Sequence, residues 1–414
     1  MDIGLFDLYS TGHHLPYAAR TGQAIEAVSD HSIKFITVSE TEQCTGLFDR
    51  RDVIYLGDAG SPPIEDRRGD FDEIADTLLA EFFAGETAGR FDVVHFLFSD
   101  DILGSLWQYS ASSTGVRLVG ELNGTFFRHG TLLRRPYTQE AFLSALQSPA
   151  RKVVDAVVPN DSDHKQLWRD LYLYRCLQRG SFDHVVTHSD EAQRYVSELD
   201  PNGVTPTTKI PYPAPDDFGT DIPAERAREK LGLSPDDSIL LFLGTLRQEK
   251  GIEQLLRALR QYDGPPFTMV IAGPPATVSE EAVLSAKRDS ELDVITELEY
   301  IDEPELYYRA ADAMVLPYIR EFGEECTSMS LEEACSSLLP VIVPDFGAIG
   351  RITEEWDLGL TYEQGSDGAL VDALKRFARD GVPFSEDRMR EHNRRHSYER
   401  AARQLVDIYE SVVD

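Results

Sequence analysis

The chain has 414 residues, of which 42% are hydrophobic, and this is enough to bury a core in each of two domains. It carries 72 acidic residues against 40 basic ones, and a net charge of −32 repels nucleic acid and anionic membranes unless salt screens it. The composition therefore argues against a nucleic-acid partner. The acidic excess, with only 8 Lys among the basic residues, is typical of proteins from a salt-rich cytoplasm and predicts a halophilic source.

The sequence shows no sign of export or of a membrane span. It enters a strand pattern at once, without a signal peptide, and no apolar run approaches the roughly 18 residues of a membrane helix. Its cysteines lack the CxxC spacing of a disulfide or zinc framework: Cys44, Cys176, Cys326 and Cys335. We expect a reduced, cytoplasmic protein whose membrane contact, if it has any, is peripheral and at the inner face.

Short apolar runs alternate with helical patterns along the first half of the chain. Most of these runs are continuous, as in a parallel sheet that is buried on both faces. The predicted strands are 3–8, 33–38, 53–56, 93–98, 116–122 and 185–187. They predict a Rossmann-like domain over residues 1–210. Within it, residues 137–180 have a helical pattern longer than a usual connection, and predict either a packing element or an acceptor-side surface.

The loop STGHHLPY follows the first predicted strand and opens a helix. Gly12 allows a ligand to approach the backbone closely, and His13 and His14 can hydrogen-bond the hydroxyls of a donor or an acceptor. Isolated histidines are more often structural, but the position at a strand end favours a site. The loop is not a GxGxxG fingerprint, which argues against dinucleotide redox chemistry.

Two charged segments follow later in the first half. Asp100 and Asp101 are neighbours that could hold a metal-bound diphosphate, but adjacent acids in an acidic protein are usually solvated, and we predict no metal site. A cationic loop contains Arg128, His129 and, further on, Arg134 and Arg135. It either meets a phosphorylated or lipid-linked acceptor or pairs with the abundant acids of the chain.

A second series of strands is predicted from residue 238 onward, at 239–243, 268–272, 294–298, 313–316 and 341–343. The stretch IPYPAPDDFGTDIPAERA before it is rich in Pro and Asp, which predicts a hinge over 211–235 and a second domain over 236–396. The amphipathic segment 397–414 is expected to pack back on the first domain. The expected fold is α/β, with two doubly wound Rossmann-like domains facing across a cleft.

The strongest functional signal is the segment ECTSMSLEEACSSLLPV, residues 325–341, in which Glu325 and Glu333 stand eight positions apart. An apolar stripe predicts a helix that Thr327 or Ser328 caps: Leu331, Ala334, Cys335 and Leu338. Glu325 is expected just before the helix and Glu333 about two turns inside it. Free backbone N–H groups at the helix start suit a diphosphate, and the carboxylates suit sugar hydroxyls. A nucleotide sugar has this layout.

The second half resembles the retaining glycosyltransferases of family 4, which adopt the GT-B fold. The resemblance lies in FLGTLRQEKG, VIAGP, YIDEPELYYRAADAMVLPY, ECTSMSLEEACSSLLPVIVPDFG and HSYERAARQLVDIYE, in order and spacing over roughly residues 236–412. The first half matches more loosely, through STGHH, DVVHF and DHVVTHSDEAQRYV. The resemblance implies a nucleotide-sugar donor, an N-terminal acceptor-side domain, a C-terminal donor-binding domain, no cofactor and no dependence on a metal.

The resemblance also assigns roles to individual residues. Arg247 and Lys250, in an Arg-x-x-Lys-Gly segment after a strand, offset the charge on the leaving diphosphate, Glu325 contacts the donor sugar, and Glu333 binds ribose. The backbone N–H groups offered to phosphate are those of Thr327, Ser328 and Met329. The competing interpretation is a surface Arg/Lys pair and a solvated helix face, since Glu321, Glu324 and Glu332 are close in sequence.

One position departs from the family. Where relatives commonly have a His-Gly pair, this chain has Asn123-Gly124, and Asn cannot titrate near neutral pH. Either this subgroup dispenses with the histidine, or His129 replaces it, or activity is reduced. A retaining front-face mechanism tolerates the change, because the leaving phosphate itself takes the proton of the acceptor.

The first hypothesis is therefore a retaining hexosyltransferase that acts on a glycan, a lipid-linked acceptor or a small acceptor. The alternative is an inactive GT-B protein that binds nucleotide or glycan in a surface-polysaccharide assembly. Asn123 favours the alternative slightly, while Arg247, Lys250, Glu325 and Glu333 favour the enzyme. A nucleotide-sugar epimerase of the same fold has no support in the motif.

Overall fold

The computed structural model describes residues 1–10, 14–57, 63–64, 71–123, 162–216, 218–320 and 324–414, with residues 72 and 162–169 described by their backbone alone. The chain divides into two compact units. The first consists of Met1–Pro211 and Tyr398–Asp414, and the second of Tyr212–Ser397.

The first unit contains a parallel sheet whose strands have the order β3-β2-β1-β4-β5-β6-β7. The strands are β1 Asp2–Phe6, β2 Ser32–Thr37, β3 Val53–Tyr55, β4 Val93–Phe96, β5 Arg117–Leu122, β6 His184–Thr187 and β7 Thr207–Lys209. Its described helices are α1 His14–Val28, α2 Glu42–Leu47, α3 Phe71–Ala84, α4 Leu103–Leu106, α5 Ala111–Thr114, α6 Ser162–Arg179 and α7 Asp190–Leu199.

The second unit has a parallel sheet of the same winding, in the order β10-β9-β8-β11-β12-β13. Its strands are β8 Ile239–Leu243, β9 Thr268–Ala272, β10 Asp293–Glu297, β11 Ala313–Val315, β12 Val341–Pro344 and β13 Gly359–Tyr362. Its described helices are α8 Ala224–Leu231, α9 Ile252–Gln261, α10 Glu280–Asp289, α11 Pro304–Ala310, α12 Met329–Ser336, α13 Gly347–Glu355, α14 Asp367–Asp380 and α15 Glu386–Arg395.

Both sheets confirm the predicted α/β fold with two doubly wound units. Each predicted strand is present, with ends that agree within two residues. Their continuous apolar runs are buried on both faces, as β4 and β12 show along their whole length. The four cysteines are buried thiols that are not joined in disulfides: Cys44, Cys176, Cys326 and Cys335. Among the helices that the structure describes, none is both long and apolar enough to cross a membrane.

The last helix, α16 Tyr398–Val413, belongs to the first unit and lies against α1. Its buried side chains recur at helical spacing: Tyr398, Ala401, Ala402, Leu405, Ile408 and Tyr409. A stripe of this kind covers apolar surface on α1 and the sheet. The C-terminal helix therefore completes the core of the first unit.

The segment predicted as a hinge, 211–235, contains the helix α8, which starts after Pro223 and ends at Gly232. Gly232 has a φ of 66°, the left-handed conformation that commonly terminates a helix. The helical end of this segment was missed because the Pro and Asp residues before it dominate the pattern. Its action as a hinge stays a prediction.

Candidate functional site

The carboxyl edge of the second sheet brings the predicted donor residues of this unit together. Strands β8 and β11 are neighbours, although β9 and β10 lie between them in the chain, so the direction of winding reverses at this point. In open α/β sheets, ligands bind outside the carboxyl ends of the strands at such a reversal. The loop after β8 carries Arg247 and Lys250, and the segment after β11 carries Glu325 and α12.

Two glycines shape the loop after β8. Gly244 has a φ of 139°, and a Cβ there would lie 2.9 Å from Nζ of Lys250. Gly251 has a φ of 71°, and a Cβ there would lie 1.7 Å from the carbonyl oxygen of Pro317. Both positions therefore favour glycine. The first leaves space for the amine of Lys250, and the second lets this loop pack against the segment that follows β11.

Lys250 is half-buried, and Arg247 is exposed, with its guanidinium 3.9 Å from the carboxylate of Glu249. Burial and the charge of Arg247 lower the pKa of Lys250 to about 8, while the carboxylates of Glu249 and Glu333 oppose this shift. The electrostatic effect of Glu333 shows that the two predicted donor residues lie within range of one another. A second negative group, such as a diphosphate, would favour the charged form of Lys250 further.

Helix α12 begins at Met329, with Ser328 as its cap. The Ser328 hydroxyl accepts a hydrogen bond from the N–H of Ser330 at 3.2 Å and pairs with the hydroxyl of Tyr318 at 2.8 Å. Thr327 is also buried and stands one residue before the cap. Of the two predicted caps, the structure uses Ser328, because its extended backbone directs the hydroxyl toward the first turn.

The sequence predicted that α12 includes Leu338, and this was wrong. The helix stops at Ser336, and Leu338 has a φ of 57°, so this leucine is not part of the helical stripe. Glu333 is the fifth residue of the helix, one turn inside it rather than about two. It therefore stands closer to the helix N-terminus, where an anion would bind, than the sequence predicted.

Glu325 and Glu333 differ in surroundings. Glu325 is buried, with 7% of its surface exposed, and it precedes the cap of the helix. Glu333 is half-buried, and its Oε2 accepts a hydrogen bond from the hydroxyl of Tyr308 at 2.8 Å. Burial and then the charge of Glu333 raise the pKa of Tyr308, so the phenol keeps its proton and remains a donor. Tyr308 holds Glu333 in place, and no local motif pointed to it.

Glu332 contradicts the interpretation of this segment as a solvated acidic face. Its carboxylate is buried and lies 2.8 Å from Nε2 of His392, on α15. Burial raises its pKa, but His392 and then His396 outweigh that effect and hold the pKa at about 2. Glu324, by contrast, is exposed as that interpretation expected. The partner of Glu332 is far away in sequence, so spacing alone could not find it.

The first sheet has its own reversal point, between β1 and β4. Here Nδ1 of His14 lies 2.8 Å from Oδ2 of the buried Asp7, and its ring lies 3.8 Å from the ring of Phe98. Burial raises the pKa of Asp7, although the neighbouring imidazole works against this. His14 is therefore fixed in position by a carboxylate and an aromatic ring, as an orienting residue needs to be.

Asn123 follows β5 at the same edge. Its side-chain nitrogen donates to the carbonyl oxygen of Leu97 at 2.7 Å, and its backbone N–H donates to Oδ2 of Asp100 at 2.8 Å. Asp100 is 4% exposed, so the expectation that it is a solvated acid was wrong. It is buried because its carboxylate anchors the backbone at Asn123.

A buried polar cluster behind this edge was missed by the sequence analysis. Glu121 of β5 lies 3.2 Å from His95 and 3.1 Å from His188, and it accepts a hydrogen bond from Tyr17 at 2.5 Å. The other ring nitrogen of His95 lies 2.8 Å from the hydroxyl of Tyr409 on α16. Burial opposes ionisation of Glu121, but His188 and His95 outweigh it and set its pKa at about 2.

Several predicted residues lie outside the described part of the chain, namely Gly12, His13, Gly124, Arg128, His129, Arg134, Arg135 and Glu321. The predicted metal-free character of the site was based on sequence alone. Among the described residues, one group of His and carboxylate side chains has ligand atoms close enough for an ion, and it consists of Glu332, His392 and His396.

Part of the chain is similar in sequence to known proteins. Residues 223–404 match the sequence model of the family described as Glycosyl transferases group 1. D-inositol 3-phosphate glycosyltransferase of Corynebacterium glutamicum (strain R) is 28% identical over 208 residues, which cover 47% of this chain and 48% of that protein. The GDP-mannose:glycolipid 4-beta-D-mannosyltransferase of Xanthomonas campestris is 30% identical over 139 residues, which cover 33% of this chain and 39% of that one. The chain thus spans about half or less of the length of these relatives.

Solved structures share the fold over the whole chain. Sucrose-phosphate synthase from Thermosynechococcus elongatus has a TM-score of 0.70 at 18% identity, covering 100% of this chain and 99% of its own. Anabaena HepE in complex with UDP-glucose has a TM-score of 0.68 at 14% identity, covering 99% and 100%. At these identities the likeness establishes the fold, which is that of the GT-B glycosyltransferases.

Proposed function

We propose that this protein is a retaining glycosyltransferase of family 4, which moves a hexose from a nucleotide-diphosphate sugar to a glycan, lipid-linked or small acceptor. The observation that carries the proposal is that Lys250 and Glu333 both lie at the carboxyl edge of one sheet, where the charge of Glu333 acts on the pKa of Lys250. A cation beside a carboxylate at a helix start suits the diphosphate and the hydroxyls of one ligand. The matched family segment contains both residues.

In this proposal the unit Tyr212–Ser397 binds the donor. Arg247 and Lys250 offset the negative charge that develops on the diphosphate as it leaves. Glu333, held by Tyr308, accepts hydrogen bonds from ribose hydroxyls, and Glu325 contacts the transferred sugar. The first turn of α12 offers its backbone N–H groups to phosphate, as proposed for Thr327, Ser328 and Met329.

The proposed chemistry takes place on one face of the sugar. The bond between the anomeric carbon and the diphosphate oxygen breaks, and the acceptor oxygen forms a bond to that carbon from the same side. The acceptor proton passes to the leaving diphosphate, so Asn123 has only to orient a substrate. The step requires no cofactor and no metal ion at the diphosphate.

The acceptor is assigned to the first unit, where His14 and Asn123 are held at the carboxyl edge of its sheet. The names of the two relatives above refer to an inositol phosphate and a glycolipid, and both fall within the proposed acceptor classes. We place the reaction in the cytoplasm, with peripheral contact at the inner membrane face if the acceptor is lipid-linked.

The donor assignment is tested by separating the two glutamates. Glu333→Gln should weaken binding of a bare nucleoside diphosphate, because this residue is assigned to ribose, at a cost of about 1.5–3 kcal/mol for a contact to a charged group. Glu325→Gln should leave that affinity unchanged and lower turnover. Calorimetry with UDP and GDP, followed by transfer assays on a panel of nucleotide sugars and acceptors, measures both quantities. Glu324→Gln, an exposed neighbour, is the matched control.

The outcomes distinguish the competing assignments. If both variants lose nucleotide affinity alone, Glu325 does not contact the sugar. If neither variant changes affinity or turnover, the donor site lies elsewhere. Wild-type protein that binds nucleotides normally but transfers no sugar across the panel would support an inactive binding protein instead.

A further inference from the structure

The side-chain cluster formed by Glu332, His392 and His396 lies outside the proposed donor chemistry. Glu332 is the fourth residue of α12, while His392 lies on α15 and His396 caps its end. The two histidines are four positions apart, which places them on one face of a helix. That face packs on α12, so all three side chains converge at the contact of two helices.

The three ligand atoms form a compact triangle. Oε2 of Glu332 lies 2.8 Å from Nε2 of His392, Nε2 of His392 lies 3.1 Å from Nδ1 of His396, and Nδ1 of His396 lies 3.8 Å from Oε2 of Glu332. Ligands bound at about 2.0–2.1 Å to a tetrahedral ion lie roughly 3.3 Å from one another. Two of the three observed distances are shorter than this value, and one is longer.

Hydrogen bonding without a metal is the competing account of this triangle. A proton on Nε2 of His392 explains its contact with Glu332, since a neutral imidazole donates from one nitrogen. The same N–H also faces Nδ1 of His396 at 3.1 Å, and that nitrogen accepts from it when the His396 proton is on Nε2. A divalent cation would instead accept a lone pair from each of the three atoms.

We propose that Glu332, His392 and His396 bind a divalent transition-metal ion of the zinc class, with water completing the coordination. Two imidazoles and one carboxylate are a ligand set that zinc uses in proteins. Glu332 and His392 are buried, and His396 is partly exposed, which provides a path for the ion.

Nearby cations do not oppose the ion. Arg388 pairs with Asp357 at 2.9 Å, and Arg395 pairs with Glu391 at 2.7 Å. The guanidinium groups of both also lie over the ring of Trp356, which packs beside the two histidines. The local positive charge is therefore balanced by carboxylates.

The proposed role of the ion is structural. It would join α15 to α12, and the next residue of α12, Glu333, is the one assigned to the donor. Adjacent helical residues point about 100° apart, so the ion and the donor would use different faces of the same short helix. The site is independent of the diphosphate chemistry, and its test does not require transfer activity.

The test uses full-length protein stripped of metal by a chelator and then titrated with Co²⁺, with Zn²⁺ as competitor. We expect the visible absorption of tetrahedral Co²⁺ at one equivalent, its loss on addition of Zn²⁺, and a higher melting temperature with Zn²⁺. His396→Ala should weaken Zn²⁺ binding by about 100-fold or more, since the remaining two ligands do not form a structural site. Circular dichroism verifies that this variant is folded.

His31→Ala, which removes a histidine in the other unit, should bind Zn²⁺ as wild type does. Glu332→Gln keeps the shape of the side chain and should also lose tight binding, with circular dichroism to verify folding. The proposal is wrong if wild type and His396→Ala bind Zn²⁺ equally, or if Co²⁺ gives no tetrahedral spectrum. The cluster is then a buried set of carboxylate–imidazole hydrogen bonds without metal.

Discussion

Lys250 is proposed to bind the diphosphate of the donor through its positive charge, but its burial disfavours that charge. Burial and Arg247 lower its pKa to about 8, so in the unliganded protein the amine is mostly charged at neutral pH and loses its proton as pH rises through about 8. We predict that affinity for a nucleoside diphosphate falls as pH rises above about 8, because the neutral amine no longer attracts the phosphates. Calorimetric titrations from neutral to alkaline pH measure this.

Lys250→Arg is the control, because a guanidinium stays protonated across that range. Its affinity should change less with pH than that of wild type, whatever its absolute value. Equal pH dependence in both proteins would mean that another group controls binding. A bound diphosphate favours the charged amine and raises its pKa, so the affinity should fall between the pKa of the free protein and the higher pKa of the complex.

Single residues differ in how far the sequence could predict them. The positions of Glu325 before the helix and Glu333 inside it were predictable because their spacing and the cap between them are local. Tyr308 and His392 were not, since each meets its glutamate through tertiary packing across 25 and 60 positions of the chain. Leu338 was misplaced because apolar periodicity continues past the point where its backbone turns left-handed.

Several elements of the first unit meet at Glu121, through side chains on β4, α1 and α16 and the residue that follows β6. The pKa of Glu121 is about 2 in the folded protein, below its ordinary value near 4.5. A carboxyl with a lowered folded pKa adds stability above its unfolded pKa, and this contribution is lost as pH falls from about 4.5 to about 2.

Glu121→Gln is therefore predicted to lower the free energy of unfolding by about 3–5 kcal/mol at neutral pH, the cost of breaking a buried ion pair from one side. The difference from wild type should shrink as pH falls below about 4.5. Denaturant unfolding at several pH values measures both effects. Glu198→Gln, an exposed acid of the same unit, should have little effect, and a difference that stays constant with pH would contradict the assignment.

At the element level, the central strands and two of the four edge strands, β3 and β10, were predictable, while the other two edge strands were not. Strands such as β8 and β9 are continuous apolar runs, and their predicted ends agree with the structure. The two missed strands, β7 and β13, lie at sheet edges. The first is the polar tripeptide TTK, and the second is GLTY, in which half-buried and buried residues alternate. An edge strand has one neighbour and carries a weaker signal.

For the whole molecule, the net charge of −32 is the property with the widest consequence. Many arginines are already engaged with nearby acids, as in the pairs Arg390–Glu386 and Arg403–Glu399. The remaining acidic excess repels itself in dilute buffer, and salt shortens the screening length to about 3 Å at 1 M. We predict a melting temperature that rises strongly with potassium chloride up to molar concentrations.

Scanning calorimetry across a potassium chloride series measures the effect. Sucrose, which stabilises by exclusion from the surface without screening charge, is the control, and it should raise the melting temperature less at equal osmolality. A melting temperature that ignores potassium chloride, or that responds equally to sucrose, would overturn the proposal of a halophilic protein.

The chain passes between the two units twice, at Pro211–Tyr212 and again at Ser397–Tyr398. The passages are adjacent in space, since the N–H of Ala214 donates to the carbonyl oxygen of His396 at 2.7 Å. The second unit is thus an insertion within the first, and the first cannot complete its core until α16 has been synthesised. During translation the second unit is therefore able to fold before α16, which the first unit needs, has left the ribosome. The first unit is thus synthesised first in large part, but it completes its core only after the second unit has been made.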